Sequence, residues 1–496
     1  RRGCRSSSGR SPSDPSPVTS DRRTVKFDVE QTQFRTAMLF IGPALSLLTG
    51  VLLHLSGQPG PVCWVAATTV LCAAWWVTEP IPIPATSLIP LAMLPLSGVL
   101  DRASVANAYG HYLILLLLGG FMLSRAMEKS GAHEKLALLI MRIVGSDSPR
   151  RLVLGMMVAT ALVSMWVSNT ATTLAMLPVA LAILKVLRDD RVAVPLLLGI
   201  AFAANIGGIG TPIGTPPNLI FMGAFDELIE QGADPQLTPW SFSRWMLIGI
   251  PVVVVFLPLM WLWLTRGLSG GVGIPLPEPT SWTTAQRRVL VVFAITATLW
   301  IFRSNPGGGW AGLLGAEPRQ IGDSTIAALM VVVMFLVPDG NRSRLLDWKS
   351  ASTIPWGILL LFGGGIALAR GFVASGLSDL IAGQLVGITE FPVFLMILII
   401  CLLVTFLTEV TSNTAITVLL MPILASVAQA AQMDPAQLMI PAAMSASCAF
   451  MMPVATAPNA VVYSTGLIPM RRMNLEGLSL NLGGALLITS VCYLAL

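Results

Sequence analysis

Residues 164–178 read SMWVSNTATTLAMLP, an apolar run with Ser168, Asn169 and Thr170 at its centre. Residues 408–422 read TEVTSNTAITVLLMP, where the triplet returns as Ser412, Asn413 and Thr414. In both copies a proline, Pro178 or Pro422, follows the asparagine by nine residues. Three side chains that need hydrogen-bond partners thus stand where water is scarce, and leaving one unpaired there costs roughly 2–7 kcal/mol. Helix packing is the plain explanation, since small polar residues join membrane helices and Ser or Thr can bond their own backbone. Two copies with the same downstream proline favour a binding role instead.

The surrounding chain is that of a membrane protein. Of its 496 residues, 54% are hydrophobic and only 11% charged, with a mean hydropathy of +0.76, whereas a soluble domain carries about 25% charged residues. Strands of a membrane barrel would alternate polar and apolar residues, and these runs do not, so the expected class is an all-α polytopic membrane protein. Six scattered cysteines without a CxxC pair give neither a disulfide framework nor a zinc site. His54, His111 and His133 are far apart, and no nucleophile–base set or HExxH motif suggests an enzyme. The net charge of +5 lies mostly in loops, so it reports topology and not nucleic-acid binding.

Basic loops mark the cytoplasmic side. Arg22, Arg23, Lys26 and Arg35 place the N-terminus inside, in a Ser/Pro/Arg-rich tail over residues 1–35 that reads as disordered. Crossings are expected near 36–56, 62–79, 83–100 and 112–143, the last with a polar, interfacial second half at Arg125, Glu128 and Lys129. Arg142, Arg150 and Arg151 precede the first triplet, and Lys185, Arg188 and Arg191 follow it. A segment with basic residues on both flanks leaves and returns to one side, which makes 150–187 a re-entrant hairpin with Ser168-Asn169-Thr170 at its tip. Legs of about 17 residues reach roughly 25 Å, enough to enter the middle of a core about 30 Å thick. Residues 192–222 then cross to an acidic loop at Asp226, Glu227 and Glu230. Further crossings fall near 243–265, 288–304, 324–338 and 353–386, with Arg342, Arg344 and Lys349 inside. The second triplet lies in 391–430, whose flanks GITEFP and AQAAQMDPAQ contain no Lys or Arg, so this hairpin enters from outside. A crossing at 437–467 leads to Arg471 and Arg472, and a last helix, 477–496, ends outside. The expectation is about eleven spans and two hairpins.

The halves also match each other. LLLLGGFMLSRAMEKSG (115–131) aligns with LLFGGGIALARGFVASG (360–376) at an offset of 245, and GTPPN (214–218) with ATAPN (455–459). Repeats whose hairpins enter from opposite faces form an inverted repeat, a transporter architecture that binds substrate near the midplane. Gly and Pro interrupt NIGGIGTPIGTPPN (205–218) and MMPVATAPN (451–459) at corresponding places. Unless the prolines only kink helices, these are unwound loops that face the tips. At each tip the returning leg offers a helix N-terminus to an anion, and the arriving leg offers carbonyls to a hard cation such as Na⁺. Glu409, one turn before the second tip, is either a brace or a proton carrier. Glu79, at a membrane edge, reads as structural.

These paired tips, each with a Pro-Asn loop, resemble the divalent anion:sodium symporter family of Na⁺-coupled dicarboxylate, citrate and sulfate carriers, over nearly the whole chain after Thr36. The resemblance implies a homodimer in the bilayer, with scaffold helices over 36–145 and 266–388. It also implies mobile, elevator-type transport regions over 146–265 and 389–496. It implies one sodium site at Ser164, Ser168, Asn169 and Gly214, and a second at Thr408, Thr411, Asn413 and Ala455. Substrate carboxylates would meet Asn169, Thr170, Thr215, Asn413, Thr414 and Thr456. The expected function is Na⁺-coupled import of C4-dicarboxylates such as succinate, malate or fumarate, across the plasma (inner) membrane. A sodium-independent exchanger, a citrate or sulfate carrier and an anion channel are the alternatives. One departure stands out: Ala457 occupies a place where the family commonly has proline.

Overall fold

The first helix of the chain, α1 (Arg22–Leu55), runs into α2 (Gly60–Thr78) as an antiparallel pair. In this computed structural model the described residues are 22–187, 189–230, 232, 237–268, 281–304, 308–315, 320–384 and 391–496. Among them every regular element is a helix, and ten helices are long and apolar enough to cross a membrane. Leu47, Leu48 and Leu52 of α1 are exposed, which in a membrane chain is a lipid-facing surface. Helix α1 starts well inside the stretch expected to be a disordered tail, because an apolar helix propagates into its polar flank once nucleated. Residues 1–21 lie outside the described residues.

The crossing expected at 83–100 is not one helix. Prolines at 80, 82, 84 and 90 remove donors, and the chain forms α3 (Ile83–Thr86) and α4 (Ile89–Leu96), followed by α5 (Arg102–Tyr109) capped by Asp101. The 112–143 segment likewise divides into α6 (Tyr112–Ser130) and α7 (Ala132–Val144). Gly131 makes the break at φ 65°, a left-handed conformation open to glycine without strain. Beyond these come α8 (Pro149–Ser164), α9 (Asn169–Leu187), α10 (Asp190–Ile209), α11 (Pro216–Glu230) and α12 (Phe242–Leu264).

The second half repeats the plan. It comprises α13 (Thr284–Ile301), α14 (Gly309–Leu313), α15 (Asp323–Leu336), α16 (Trp348–Ala351), α17 (Trp356–Ser375) and α18 (Leu377–Gln384). Gly376, at φ 82°, splits α17 from α18 where Gly131 splits α6 from α7, at aligned positions of the two halves. Then follow α19 (Val393–Thr408), α20 (Asn413–Ala430), α21 (Ala436–Ala446), α22 (Ala457–Tyr463) and α23 (Met470–Ala495). The crossing expected at 437–467 is thus two short helices with an unwound stretch between them, and the last helix starts earlier than expected, directly after Pro469. The flank residues Gly387, Ile388, Thr389 and Glu390 lie outside the described residues.

Both SNT triplets sit where a helix pair turns: α8 ends at Ser164 and α9 begins at Asn169, while α19 ends at Thr408 and α20 begins at Asn413. Helix α10 is buried almost throughout and lies against α8, α9 and α12. A Cβ on its Gly207 would come within 2.3 Å of the Ala161 carbonyl oxygen. The backbones of α8 and α10 therefore touch, as small residues permit in membranes. Across the repeats the packing is crossed: α9 lies on α22, and α20 lies on α11.

Candidate functional site at the hairpin tips

The first tip is ordered by its own polar residues. Ser168 caps α9, its hydroxyl accepting from the Ala171 N–H at 3.3 Å, as Ser does at helix starts. Asn169, the first helical residue, turns its Oδ1 back toward Ser164, whose Oγ lies at 2.6 Å. That same Oγ is 2.9 Å from the Ala204 carbonyl of α10. Ser164 thus ties the arriving leg, the returning leg and the central helix together. Gly208 leaves the space that Asn169 needs, since a Cβ there would stand 2.9 Å from Asn169 Oδ1 and 3.2 Å from the Gly214 carbonyl.

The second tip repeats this frame. Ser412 accepts from the Ala415 N–H at 3.4 Å. Thr417 donates to the Asn413 carbonyl at 2.7 Å, as Thr173 donates to that of Asn169 at 2.8 Å. Thr408 and Thr411 donate their hydroxyls to backbone carbonyls of α19. Glu409, which follows Thr408, is buried and acts as a brace. Its Oε1 accepts from Phe450 N (2.7 Å), Met451 N (2.9 Å) and Asn481 Nδ2 (2.7 Å), and its Oε2 from Met452 N (2.9 Å). One carboxylate therefore satisfies three backbone donors left open where the chain unwinds after α21.

The unwound loops face these tips. Thr211 Oγ1 donates to the Met165 carbonyl at 2.5 Å, fastening loop to tip in the first repeat. Asn218 Nδ2 donates to the carbonyls of Gly208 (2.9 Å) and Thr211 (2.7 Å). Asn459 Nδ2 donates likewise to Ala449 (2.9 Å) and Met452 (3.0 Å). With both amide donors committed, the side-chain oxygens of Asn218 and Asn459 point away, and they have no hydrogen-bond partner among the described residues; nor has the buried Oδ1 of Asn413. A buried amide oxygen without a donor suits a cation that takes oxygen ligands. The two repeats meet directly where Asn205 Nδ2 donates to Thr456 Oγ1 at 3.0 Å.

The residues expected at the site are distributed as follows. Asn169, Thr170, Asn413, Thr414 and Thr456 are partly exposed, and Thr215 is buried. Ser164, Ser168 and Gly214 gather at the first tip and its loop. Thr408, Thr411 and Asn413 lie at the second tip, and Ala455 in the unwound stretch after α21. No Lys, Arg or His stands in either tip or loop. Helices α9, α11 and α20 begin here, and α8, α10, α19 and α21 end here. The positive ends of the former favour an anion, and the exposed carbonyls of the latter favour a cation. Asn205, Asn218, Asn459 and Asn481 were not among the expected site residues. The sequence signal for Asn481 was one amide inside the apolar run of the last helix.

One further expectation needs revision. Asp226, Glu227 and Glu230 do not form a loop: they are the last turns of α11, and Asp226 and Glu227 are buried. Glu79 adopts a left-handed conformation (φ 47°) that ends α2, with its carboxylate 4.0 Å from Arg35.

Comparison with known proteins identifies the family. The model of the citrate transporter family matches residues 73–439. The chain belongs to that family. It is 38% identical over 480 residues to the sodium-dependent dicarboxylate transporter SdcS of Staphylococcus saprophyticus, an alignment covering 92% of this chain and 90% of the relative. The protein of the same name in Staphylococcus aureus matches to the same extent. Among solved structures, the Alcanivorax borkumensis YdaH transporter superposes with a TM-score of 0.58 at 15% identity, covering 88% of this chain and 98% of that one. That likeness speaks for the fold, an all-helical transporter architecture.

Proposed function

We propose that this family member is a secondary carrier that imports small divalent anions with sodium, most readily C4-dicarboxylates such as succinate, malate and fumarate. The observation that carries the reading is the duplicated tip: two helix starts with hydroxyl and amide groups, buried acceptor oxygens without donors, and no cationic side chain. A dianion there needs its charge offset, and sodium ions together with helix N-termini supply that offset. The names of the staphylococcal relatives, sodium-dependent dicarboxylate transporters, support the same ion and substrate class.

In this reading one sodium ion is held by Ser164, Ser168, Asn169 and Gly214, and a second by Thr408, Thr411, Asn413 and Ala455. Asn169, Thr170, Thr215, Asn413, Thr414 and Thr456 meet the substrate carboxylates. The direct bond from Asn205 to Thr456 lets both halves of the site move as one body past scaffold helices within a homodimer. The protein is a carrier and not an enzyme, in the plasma membrane, with the N-terminus cytoplasmic and the C-terminus external.

Sodium dependence has a direct test. Around the tips and loops Glu409 is the one titratable residue, and its carboxylate is already committed to four donors. Labelled succinate enters proteoliposomes under an inward sodium gradient, with citrate and sulfate as competitors. It does not accumulate under a pH gradient in sodium-free buffer. Concentrative uptake driven by the pH gradient alone refutes the assignment.

The opposite entry of the hairpins has its own test. Asp147, just before α8, is exposed with its side chain at 76% accessibility, and Asp434, just after α20, is exposed too. Pro149 is buried and unsuited to labelling. Cysteines replacing Asp147 and Asp434 react with impermeant reagents from opposite faces, cytoplasmic and external. Reaction from one face for both removes the inverted repeat.

A further inference from the structure

Helix α11 begins at the candidate site and ends in a cluster of buried charge that the transport reading does not use. From Thr215 to Asp226 the chain climbs roughly 15 Å at 1.5 Å per residue, about half the thickness of a bilayer core. With the tips near the midplane, as an inverted repeat places them, that length puts Asp226 at the membrane edge. It is 4% exposed, and the adjacent Glu227 is 2% exposed.

Glu227 takes the local cation. Arg370 of α17 donates to it from Nε (2.9 Å to both oxygens) and Nη2 (2.6 Å), while Arg370 Nη1 donates to the Ser104 carbonyl of α5 at 2.8 Å. Glu230 lies 3.6 Å from the same guanidinium. Asp226 is left with a phenol: Tyr112 of α6 donates its hydroxyl to Oδ2, and the buried Oδ1 has no partner among the described residues. His111 stacks on Tyr112 at 4.6 Å, and its buried Nε2 is likewise unpartnered. Farther along, Asp323 is paired with Arg303 at 2.5 Å. Helices α20 and α21, also packed on α11, carry no charged side chain. Glu227 and the largely exposed Glu230 thus hold the guanidinium, Asp226 has no cation beside it among the described residues, and burying an unpaired charge is costly.

We propose that Asp226 is a proton-binding site, distinct from the hairpin tips, whose proton neutralises the carboxyl and so clasps the far end of α11 to α6. Burial pushes the Asp226 carboxyl up to about 7, with the Tyr112 hydrogen bond opposing and the Glu230 and Glu227 carboxylates adding to the rise. The protonated acid seats α11 against its neighbours. Its loss adds a further buried negative charge beside Glu227 and loosens that end. Because the other end of α11 carries Thr215 and Asn218, the clasp links pH to the site without making the proton a coupling ion.

The native state keeps a proton that the unfolded chain releases near pH 4, so stability from this group is full at low pH and is lost as pH rises toward 7. Thermal melts of the purified protein in detergent between pH 5 and 8 read this directly. Relative to Asp226→Asn, the wild type loses melting temperature from pH 5 to 7 and then levels off; parallel curves overturn the proposal. In proteoliposomes, with dianion concentration and sodium gradient held constant, wild-type initial uptake rises several-fold between pH 6 and 8, and Asp226→Asn removes the step. A step that persists in the variant overturns the proposal. Should Asp226→Asn fail to fold, Tyr112→Phe moves the step to higher pH, and an unmoved step overturns it. The transport arm rests on the carrier reading; the melts do not. Absence of any succinate uptake counts against the carrier reading, and the melts then decide the proton site.

Discussion

Uptake by Asn413→Ala falls at least about 100-fold while the protein still folds, and Asn169→Ala behaves alike. Each asparagine is the first residue of a returning leg, where its amide serves both a cation and a substrate carboxylate on the proposed reading. A hydrogen bond to a charged group contributes about 1.5–3 kcal/mol. Losing two such contacts, at 1.4 kcal/mol per decade, removes two or more orders of magnitude. Folding is spared because the caps come from Ser168 and Ser412 and remain in place. Radiolabelled succinate uptake, alongside size-exclusion profiles of both variants, checks this. Uptake close to wild type in either variant reduces the tips to packing elements.

Glu409→Ala gives the largest loss of stability. The carboxylate is the acceptor for the N–H groups of Phe450, Met451 and Met452 and for Asn481. Phe450 N–H keeps a second acceptor, Asn481 Oδ1 at 3.2 Å, but the Met451 and Met452 N–H groups and the Asn481 amide are left unpaired at about 1–3 kcal/mol each, a total of roughly 3 kcal/mol or more. The variant melts well below wild type in detergent, and its uptake is lost with the shape of the second loop. Glu409→Gln retains one acceptor oxygen but turns an amide donor toward a backbone N–H. It is impaired less and keeps its sodium dependence. A Glu409→Ala protein with wild-type melting would show that the Met451 and Met452 N–H groups have other partners.

The hairpins were legible because membrane burial makes polar residues costly, so Ser168-Asn169-Thr170 and its repeat stand out from the apolar runs around them. Their helix ends fall at Ser164 and Asn169, and at Thr408 and Asn413, where the triplets pointed. The Gly/Pro-rich loops were legible for a related reason, since such residues mark where a helix must unwind. The breaks after Ser130 and Ser375 were harder to see, because one glycine in a long apolar run does not reveal its φ. Asn218 and Asn459 were visible as letters, but their work is set by carbonyls that only the folded loop brings near. The acidic end of α11 was misread because charge in a sequence suggests water, and only the packed neighbour Arg370 reveals it as buried.

The crossed packing of α9 on α22 and α20 on α11 sets a timetable for biogenesis. About 290 residues separate the first tip from the helix that covers it. At 5–20 residues per second, the ribosome needs roughly a quarter of a minute to a minute to supply that partner. During this interval the first hairpin stands in the membrane with its polar tip uncovered. Either the translocon and neighbouring helices shield it, or the hairpin inserts only after the second half has arrived. Packing around the first tip is thus completed only late in synthesis, even where individual spans insert as they emerge.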